Sequence, residues 1–424
     1  MKKKFPYRYR VVIFLFLLSA ITYLDRVSIS IVGVRIKSVF HLSNAEFGWV
    51  LGAFSLAYAI FEIPSGILGD LKGQKAALIR IVLWWSLFTA LTGVTTGLIS
   101  LIIARFLFGM GEAGAVPNVT GVLSRWFPKN EISRGVITTF AGQPAGAAIA
   151  PLIIVPIAIQ FGWRATFFIN GTIGIAWVIV CMLWFQNNPS SMKGITKEEK
   201  ILIEENRHYN NHQTKIPWKN IFKSRSLLAV SLAHFCSQWS NYFFIAWLPV
   251  YLQQGRHFSE RNMSFIVSFV FIPAIAASFG CGAFSDWLIK KRGLKFGRRF
   301  VGLFSLGMLS LFFLIDATTI NNNILIGSLF IGYIFQMFFS TTSFGVCIDI
   351  SGNHAGTVSA ILNSIGQVGA FFMAVMFGKL VDVTHNFNMP LFVIAALLIA
   401  GALLCLLIDP TKKINFEREH SGVL

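Results

Sequence analysis

Four ionisable residues lie deep inside long apolar segments of this chain, where a charge is expensive. Asp25 and Arg26 interrupt the first apolar run, in TYLDRVSIS, and Arg105 and Glu112 lie seven residues apart in ARFLFGMGEAG. An ionised side chain at mid-bilayer costs roughly 2.5–3.5 kcal/mol on insertion scales, so their presence indicates a function. Two acids balance two bases, which allows each charge to find a partner in a low dielectric.

The residue types of this quartet suit the binding of an anion together with a proton. An Arg guanidinium stays charged and matches a carboxylate with two hydrogen bonds. An apolar cavity favours the neutral form of a carboxyl and a nearby Arg favours the charged form, so such a group can exchange a proton near neutral pH. Protonation of one acid would leave the quartet positive and attract an anion. The alternative interpretation is a set of structural ion pairs that hold two helices together.

The elements that must position these charges are membrane helices. The chain has 424 residues, of which 55% are hydrophobic and 13% are charged, and its mean hydropathy is +0.66. A soluble domain carries about twice that charge fraction, so the composition predicts an all-α, polytopic membrane protein. Apolar runs predict twelve spans, at about 11 to 34, 46 to 69, 76 to 96, 98 to 122, 134 to 159, 165 to 186, 226 to 252, 262 to 289, 300 to 318, 323 to 345, 354 to 381 and 387 to 408.

The placement of the basic residues orients these spans. The formal net charge is +18, and 28 of the 36 Lys and Arg residues fall in the termini and in every second loop. This is the positive-inside asymmetry, and it predicts that both termini are cytoplasmic. The basicity therefore does not indicate nucleic-acid binding. The first apolar segment is too long for a cleavable signal, so we expect it to remain as a helix.

Other classes of function have no support in the sequence. The five cysteines all fall within spans and form no C-x-x-C pattern, so neither a disulfide framework nor a metal site is predicted. No nucleophile–base pair or phosphate-binding loop occurs. We expect no enzymatic activity, no cofactor and no metal.

The chain divides into two similar halves. Residues 187–225 form a polar stretch containing the charged helical pattern TKEEKILIEENR, and they separate a first bundle of six spans (1–186) from a second (226–424), which ends in a short cytoplasmic tail. A G-x-x-x-D pattern followed by basic residues occurs in both halves, just after the second span. Its residues are Gly66 and Asp70 in GILGDLKGQK, and Gly282 and Asp286 in GAFSDWLIKKRG.

This repeated loop resembles the signature of the major facilitator superfamily, with departures at Leu71 and Gln74, where basic residues are usual. The resemblance implies twelve transmembrane helices in two six-helix pseudo-repeats. It also implies that the halves rock around a midplane site and expose it to each side in turn. In that fold Gly66, Asp70, Gly282 and Asp286 belong to the gating loops.

Polar side chains follow one face of several predicted spans. Such faces either join helices or line water, and the sequence leaves both open. We interpret His234 as a hydrogen-bonded interior residue, and Glu62, beside Pro64, as a structural or water-facing acid. The sets are Ser55, Tyr58 and Glu62 in span two; His234, Gln238 and Asn241 in span seven; Gln336, Ser340 and Ser343 in span ten; and Asn363 and Gln367 in span eleven.

The motifs YLDR, ARFLFGMGEAG and VLSRWFP together resemble the anion:cation symporter family of that superfamily, which includes proton-coupled importers of sugar acids. The resemblance implies proton binding at Asp25 and Glu112, carboxylate binding at Arg26, and Arg105 as the partner of an acid. It also implies a cavity lined by other polar residues. Those are Tyr23, Tyr58, Gln143 and Asn363, and we add Gln238, Asn241 and Ser343 from the polar faces as expected substrate contacts.

We therefore expect a monomeric symporter of protons and a small organic anion, such as a sugar acid, in the lipid bilayer of a bacterial inner membrane. One alternative is an exchanger of organic phosphates. The superfamily members with that function bind phosphate with an Arg from each half. Nothing basic occurs between Arg225 and Arg256, so span seven offers no second Arg. A membrane solute sensor is the other alternative.

Overall fold

The computed structural model describes residues 5–128, 131–192, 194–205 and 218–414. Nearly all of these residues are helical. The α-helices are α1 (Tyr7–Ile31), α2 (Gly33–Phe40), α3 (Asn44–Lys72), α4 (Gln74–Thr92), α5 (Leu98–Glu112), α6 (Ala115–Trp126), α7 (Ile132–Phe140), α8 (Gly142–Phe161), α9 (Trp163–Trp184), α10 (Lys197–Glu205), α11 (Trp218–Phe222), α12 (Arg225–Tyr242), α13 (Leu248–Val250), α14 (Glu260–Arg292), α15 (Leu294–Thr318), α16 (Asn322–Ser351), α17 (Ala355–Thr384) and α18 (Met389–Leu404).

Eleven helical stretches of the described chain are long and apolar enough to cross a membrane. The predicted seventh span is also helical, and it completes the twelve. It is interrupted by two π-helical turns, Phe243–Trp247 and Tyr251–Gly255, on either side of α13. Pro249 lies in α13 and has no backbone N–H to donate, so the regular hydrogen-bond ladder cannot continue through it. The prediction of twelve helices is consistent with this fold.

The predicted fourth span is two helices joined by a sharp break. Helix α5 ends at Glu112, and Gly114 has φ +90°, a left-handed conformation that glycine adopts without strain. A Cβ at Gly114 would also lie 2.4 Å from Oγ of Ser65. Gly109, one turn earlier, allows a similarly close approach to the backbone of Phe54 in α3. The glycines thus place the last residue of α5 in the tightly packed interior beside α3.

The two halves pack against each other through α3 with α17 and α8 with α14. Small residues permit the closest crossing: a Cβ at Gly48 would lie 2.6 Å from the carbonyl oxygen of Ala374, and one at Gly378 would lie 2.1 Å from that of Asn44. Both crossings lie near the start of α3 and the end of α17. The predicted orientation, with both termini cytoplasmic, would place these ends on the outer face, and they are called the outer ends below. The halves are in close contact there.

The polar segment between the halves contains a short helix that contacts the start of the chain. The predicted charged pattern forms α10, and its Glu199 carboxylate accepts hydrogen bonds from the backbone N–H groups of Tyr7 and Arg8, each at 3.0 Å. These are free donors at the first turn of α1, so the carboxylate caps that helix. The guanidinium of Arg8 also pairs with Glu131, 3.1 Å away.

Candidate transport site

A buried ion pair joins α1 to the end of α5. Nε of Arg26 donates to Oε1 of Glu112 at 2.5 Å, and Nη2 of Arg26 contacts the same oxygen. The Arg26 side chain is 10% exposed and that of Glu112 is 0% exposed. The guanidinium carbon of Arg26 lies 5.1 Å from the ring centre of Tyr23 and 4.9 Å from those of Phe54 and Tyr58. Aromatic faces therefore surround a guanidinium whose counter-charge is a carboxylate.

Asp25 is buried beside this pair without a hydrogen-bond partner. Neither of its oxygens makes a hydrogen bond of good geometry to the described residues, although the indole of Trp85 lies beside it. Glu112 and Arg105 are the charged groups that act on it most strongly. A buried carboxylate without donors is costly, and binding a proton removes much of that cost. The geometry thus suits Asp25 to hold a proton.

Arg105 makes no ion pair among the described residues, and its expected role as the partner of an acid stays a prediction. Its guanidinium carbon lies 4.4 Å from the ring centre of Phe108 and 5.4 Å from that of Phe54. Within the described residues no carboxylate lies within ion-pairing distance of it. Arg105 and Glu112 share a helix face, but seven residues separate them by about 10 Å along the axis. Glu112 pairs with Arg26 instead, and Arg105 interacts with Asp25 and Glu112 only from beyond ion-pairing distance.

The polar residues of the second half form two clusters on α12 and α16. In one, Asn241 donates to Gln238 at 2.8 Å, Gln238 contacts His234 at 3.4 Å, and Ser343 contacts Nδ1 of His234 at 3.3 Å. His234 is therefore a hydrogen-bonded interior residue, as interpreted. Three expected substrate contacts, Gln238, Asn241 and Ser343, lie in this one cluster.

The second cluster joins the same two helices and has no exposed member. The side chain of Gln336 on α16 donates to Ser237 at 3.0 Å and accepts from Ser240 at 2.6 Å. All three residues are buried. This polar face therefore holds helices together, which is one of the two readings that the sequence left open.

Asn363, another expected substrate contact, reaches across to the first half. Its Nδ2 donates to Oε1 of Glu62 at 2.7 Å, and Oγ of Ser364 donates to Oε2 at 3.3 Å. Glu62 is 1% exposed. Sequence reasoning did not place Glu62 in the site. The available signal was its spacing, because it follows Tyr58 by four residues and so shares a face of α3 with it.

Gln143 lies half-buried near the start of α8, on the helix that packs against α1. A Cβ at Gly142 would lie 2.3 Å from the carbonyl oxygen of Phe16, and one at Gly146 would lie 2.1 Å from that of Ala20. Gln143 thus sits beside the part of α1 that precedes Tyr23. Its role as a lining residue stays a prediction.

The signature-loop residues lie away from the central charges, toward the ends of α3 and α14. Gly66 packs near Pro117, and the backbone of Asp70 lies in α3, while its side chain is outside the described part. Gly282 has open space around it, and Asp286 is exposed. Their gating role stays a prediction.

The outer ends of the halves are joined by charged groups that the sequence did not single out. Nε and Nη2 of Arg35 each donate to a different oxygen of Glu260 at 2.7 Å. Asp382, on α17, accepts from Nδ2 of Asn44 and from the backbone N–H of Ala45, both at 2.7 Å, at the start of α3. A carboxylate at a helix N-terminus satisfies free donors and opposes the positive end of the helix dipole. These contacts close the outer side.

Lys37, in the short helix α2, lies against the same closure. Its Nζ donates to Oε1 of Gln254 at 2.7 Å and also contacts Oδ1 of Asn44. Burial lowers the pKa of Lys37 to about 8, and the carboxylate of Asp382 acts in the opposite direction. The amine is therefore held where its charge is unfavourable, with amide oxygens as its acceptors.

Two helical halves, closed at one face around buried charges, define a membrane transport protein of the two-bundle type. Residues 15–374 match the family model for the Major Facilitator Superfamily, and the chain belongs to that superfamily. The fold class and the superfamily expected from the sequence are thereby confirmed.

Curated relatives and a solved structure agree with this assignment. The chain is 29% identical to a probable sulfoacetate transporter of Cupriavidus necator, with 100% of this chain and 98% of that protein covered. It is 30% identical to the hexuronate transporter of Bacillus subtilis, with 95% and 92% covered. The crystal structure of a bacterial homolog of the human lysosomal transporter Spinster, inward-facing and unoccupied, matches with a TM-score of 0.74 at 18% identity, covering 96% of this chain and 97% of that one. The protein is a multi-pass secondary transporter and not an enzyme.

Proposed function

We propose that this transporter carries a small hydroxylated carboxylate, such as a sugar acid, together with protons. One observation carries the proposal: Arg26, the guanidinium framed by aromatic rings, is occupied by the Glu112 carboxylate. A substrate carboxylate and Glu112 compete for the same donors of Arg26. Protonation of Glu112 removes its charge and frees those donors, so anion binding and proton binding favour each other.

Two further charges fit this exchange. Asp25 is buried without a hydrogen-bond partner of good geometry among the described residues, so it is a second site at which a proton can reside. Arg105 has no acid within ion-pairing distance in the described chain, and its positive charge supports an anion in the low dielectric. The resemblance implied Asp25 and Glu112 as proton sites, and their burial supports that assignment.

The substrate class rests on the polar residues and on the relatives. Tyr23, Tyr58, Gln143 and Asn363 offer donors and acceptors that suit hydroxyl groups, and Gln238, Asn241 and Ser343 offer more from the second half. Both relatives are named for carboxylates: a hexuronate has one carboxylate and several hydroxyls, and sulfoacetate has a carboxylate and a sulfonate. The names agree on a carboxylate and differ in the number of negative charges.

Alternating access supplies the transport step. The outer side is closed through Arg35, Glu260 and Asp382, so the site would open toward the cytoplasm when the halves separate at their other ends. In this proposal the protein works as a monomer in a bacterial inner membrane, with both termini cytoplasmic.

Uptake by purified protein in liposomes tests the function. An inward proton gradient should drive labelled D-glucuronate above its external concentration, and a protonophore should abolish the accumulation. Empty liposomes and a parallel assay with a labelled sugar phosphate serve as controls. Equilibration without accumulation would overturn proton coupling, and preferential exchange of the sugar phosphate would favour the organic phosphate exchanger instead.

A further inference from the structure

Among the described hydrogen bonds between α3 and the second half, those of Glu62 lie farthest from the outer end of α3. Both of its oxygens are held by donors from α17, Asn363 at 2.7 Å and Ser364 at 3.3 Å. The other described hydrogen bonds from α3 to the second half lie toward its outer end, at Asn44, Ala45 and Leu51. Glu62 is thus a buried acid at the boundary between the closed outer part and the inner part.

The position of Glu62 relative to Arg26 can be read along α3. Tyr58 and Glu62 are four residues apart on one face, which is a rise of about 6 Å. The ring centre of Tyr58 lies 4.9 Å from the guanidinium carbon of Arg26. Glu62 therefore lies about one helical turn from the group that would anchor a substrate carboxylate. A sugar acid held by Arg26 is long enough for its other end to reach this region.

The charges around Glu62 leave it without a cation of its own. Among the described residues no Lys or Arg is within ion-pairing distance of it, and the cation that acts on it, Arg26, is already paired with Glu112. Its remaining polar neighbours are Asn363 and Ser364 on α17. Donors to both oxygens are compatible with an ionised carboxylate, whose oxygens only accept. With Glu62 the buried centre holds three acids and two guanidiniums.

We propose that Glu62 selects substrates that carry one negative charge and present hydroxyl groups at the far end. This inference rests on the proposed function and names its substrate class. A hydroxyl can donate to Glu62 and replace the donors from α17. A second carboxylate or sulfonate cannot donate a hydrogen bond to Glu62. It also places a like charge near Glu62 in a low dielectric, and the resulting repulsion disfavours such a substrate. The transporter should therefore prefer aldonates and uronates to aldarates.

Gluconate and glucarate form a matched pair for the test, because they differ only at the last carbon, a CH2OH in one and a carboxylate in the other. Each is added unlabelled to compete with uptake of labelled D-glucuronate into liposomes. For the wild-type protein, gluconate should inhibit at a concentration at least about tenfold lower than glucarate, the scale expected for juxtaposed like charges. This ratio requires no variant.

Three variants test whether the ratio of the inhibitory concentrations of glucarate and gluconate depends on the charge of Glu62. Glu62→Gln keeps the size and an acceptor for Asn363 but removes the charge, so the ratio should fall by about tenfold toward equality. Glu62→Asp keeps the charge and should keep the preference for gluconate. Glu204→Gln makes the same chemical change on the exposed face of α10 and should behave as the wild type.

The outcomes separate this inference from the function on which it rests. Equal inhibition by the two acids in the wild type, or an unchanged ratio in Glu62→Gln, would overturn the role of Glu62 while transport of carboxylates stands. If the wild-type protein neither transports nor is thermally stabilised by either acid, the proposed function itself is overturned. Thermal unfolding of each variant with gluconate present shows whether a lost ratio reflects a lost fold.

Discussion

Replacing Glu112 by Gln should separate substrate binding from proton coupling. Gln keeps the size of Glu112 and a carbonyl oxygen that can accept from Nε of Arg26, which now lies 2.5 Å from Oε1. The substitution removes the charge that balances a guanidinium with a side chain 10% exposed. Arg26 is then a buried cation without its carboxylate, and a substrate carboxylate becomes its best available partner.

The size of the effect follows from the pair that is lost. Removing one partner of a buried ion pair costs about 3–5 kcal/mol. The amide oxygen retains a hydrogen bond to a charged donor, and such bonds contribute about 1.5–3 kcal/mol. Without substrate, the variant is therefore destabilised by about 1–3 kcal/mol relative to the intact ion pair. A bound monocarboxylate recovers this free energy by pairing with Arg26. We therefore expect the Glu112→Gln variant to bind gluconate about 5-fold to 150-fold more tightly than the wild type at neutral pH.

Equilibrium binding and transport provide the assay. Calorimetry in detergent between pH 5.5 and 8.5 should show that the wild-type affinity falls as pH rises, because in the proposed mechanism the wild type binds a proton with the anion. The affinity of the variant should depend less on pH. In liposomes the variant should exchange labelled for unlabelled gluconate but should not concentrate it. Glu131→Gln, which removes the partner of Arg8 far from the site, is the matched control. Weaker binding with the wild-type pH dependence, or retained uphill transport, would refute the reasoning.

Three other predictions follow from the same structure. Arg26→Lys should raise the apparent KM for monocarboxylates by about 100-fold, because an ammonium cannot offer a planar pair of donors, and an unchanged KM in initial-rate uptake would count against substrate binding there. Since burial lowers the pKa of Lys37 to about 8, the open state binds more protons than the closed state above that pH. Raising the pH from about 8 to 10.5 should therefore stabilise the outer closure by about 3 kcal/mol. Spin-label distances across the outer ends would measure this stabilisation, and Lys37→Met should remove the pH dependence. Gly114→Ala should lower the free energy of unfolding by about 1–3 kcal/mol, because Gly114 has φ +90° and an added Cβ would clash with Ser65. Gly307→Ala, where an added Cβ in α15 meets open space, should not lower it. Equal effects of the two substitutions would contradict the account of the break after Glu112.

Hydropathy and repetition made the fold predictable from the sequence, since a span needs only length and apolar composition. The exceptions lie where composition is not the deciding factor. The seventh span carries many polar residues and contains π-helical turns, and the fourth ends one helix at Glu112 and begins another at Ala115. Pro249 accounts for the irregular seventh span, and the left-handed Gly114 accounts for the break in the fourth. A hydropathy profile reports only apolar content, so it does not show either break.

The burial of the four central charged residues was predictable from the sequence, and their pairing was less so. Asp25, Arg105 and Glu112 are buried and the Arg26 side chain is 10% exposed, as the cost of charge in an apolar run indicates. Which base meets which acid depends on the rotation and crossing of α1 and α5, and spacing within one helix cannot supply that. The contact of Asn363 with Glu62 joins residues 301 positions apart, and that of Asp382 with Asn44 joins residues 338 apart. Nothing local in the sequence marks such partners.

Two central carboxylates, those of Glu112 and Glu62, each accept a hydrogen bond from a residue of the candidate site. Arg26 is paired with Glu112, and Asn363 donates to Glu62, so internal contacts occupy both groups, Arg26 and Glu62, that the proposed substrate would use. A substrate that binds at both ends replaces one internal contact with its carboxylate and another with its hydroxyls. In the proposed mechanism the first replacement requires a proton on Glu112, and the second loosens a link between α3 and α17. Proton uptake, substrate recognition and separation of the halves would then be connected, because one molecule must replace both contacts.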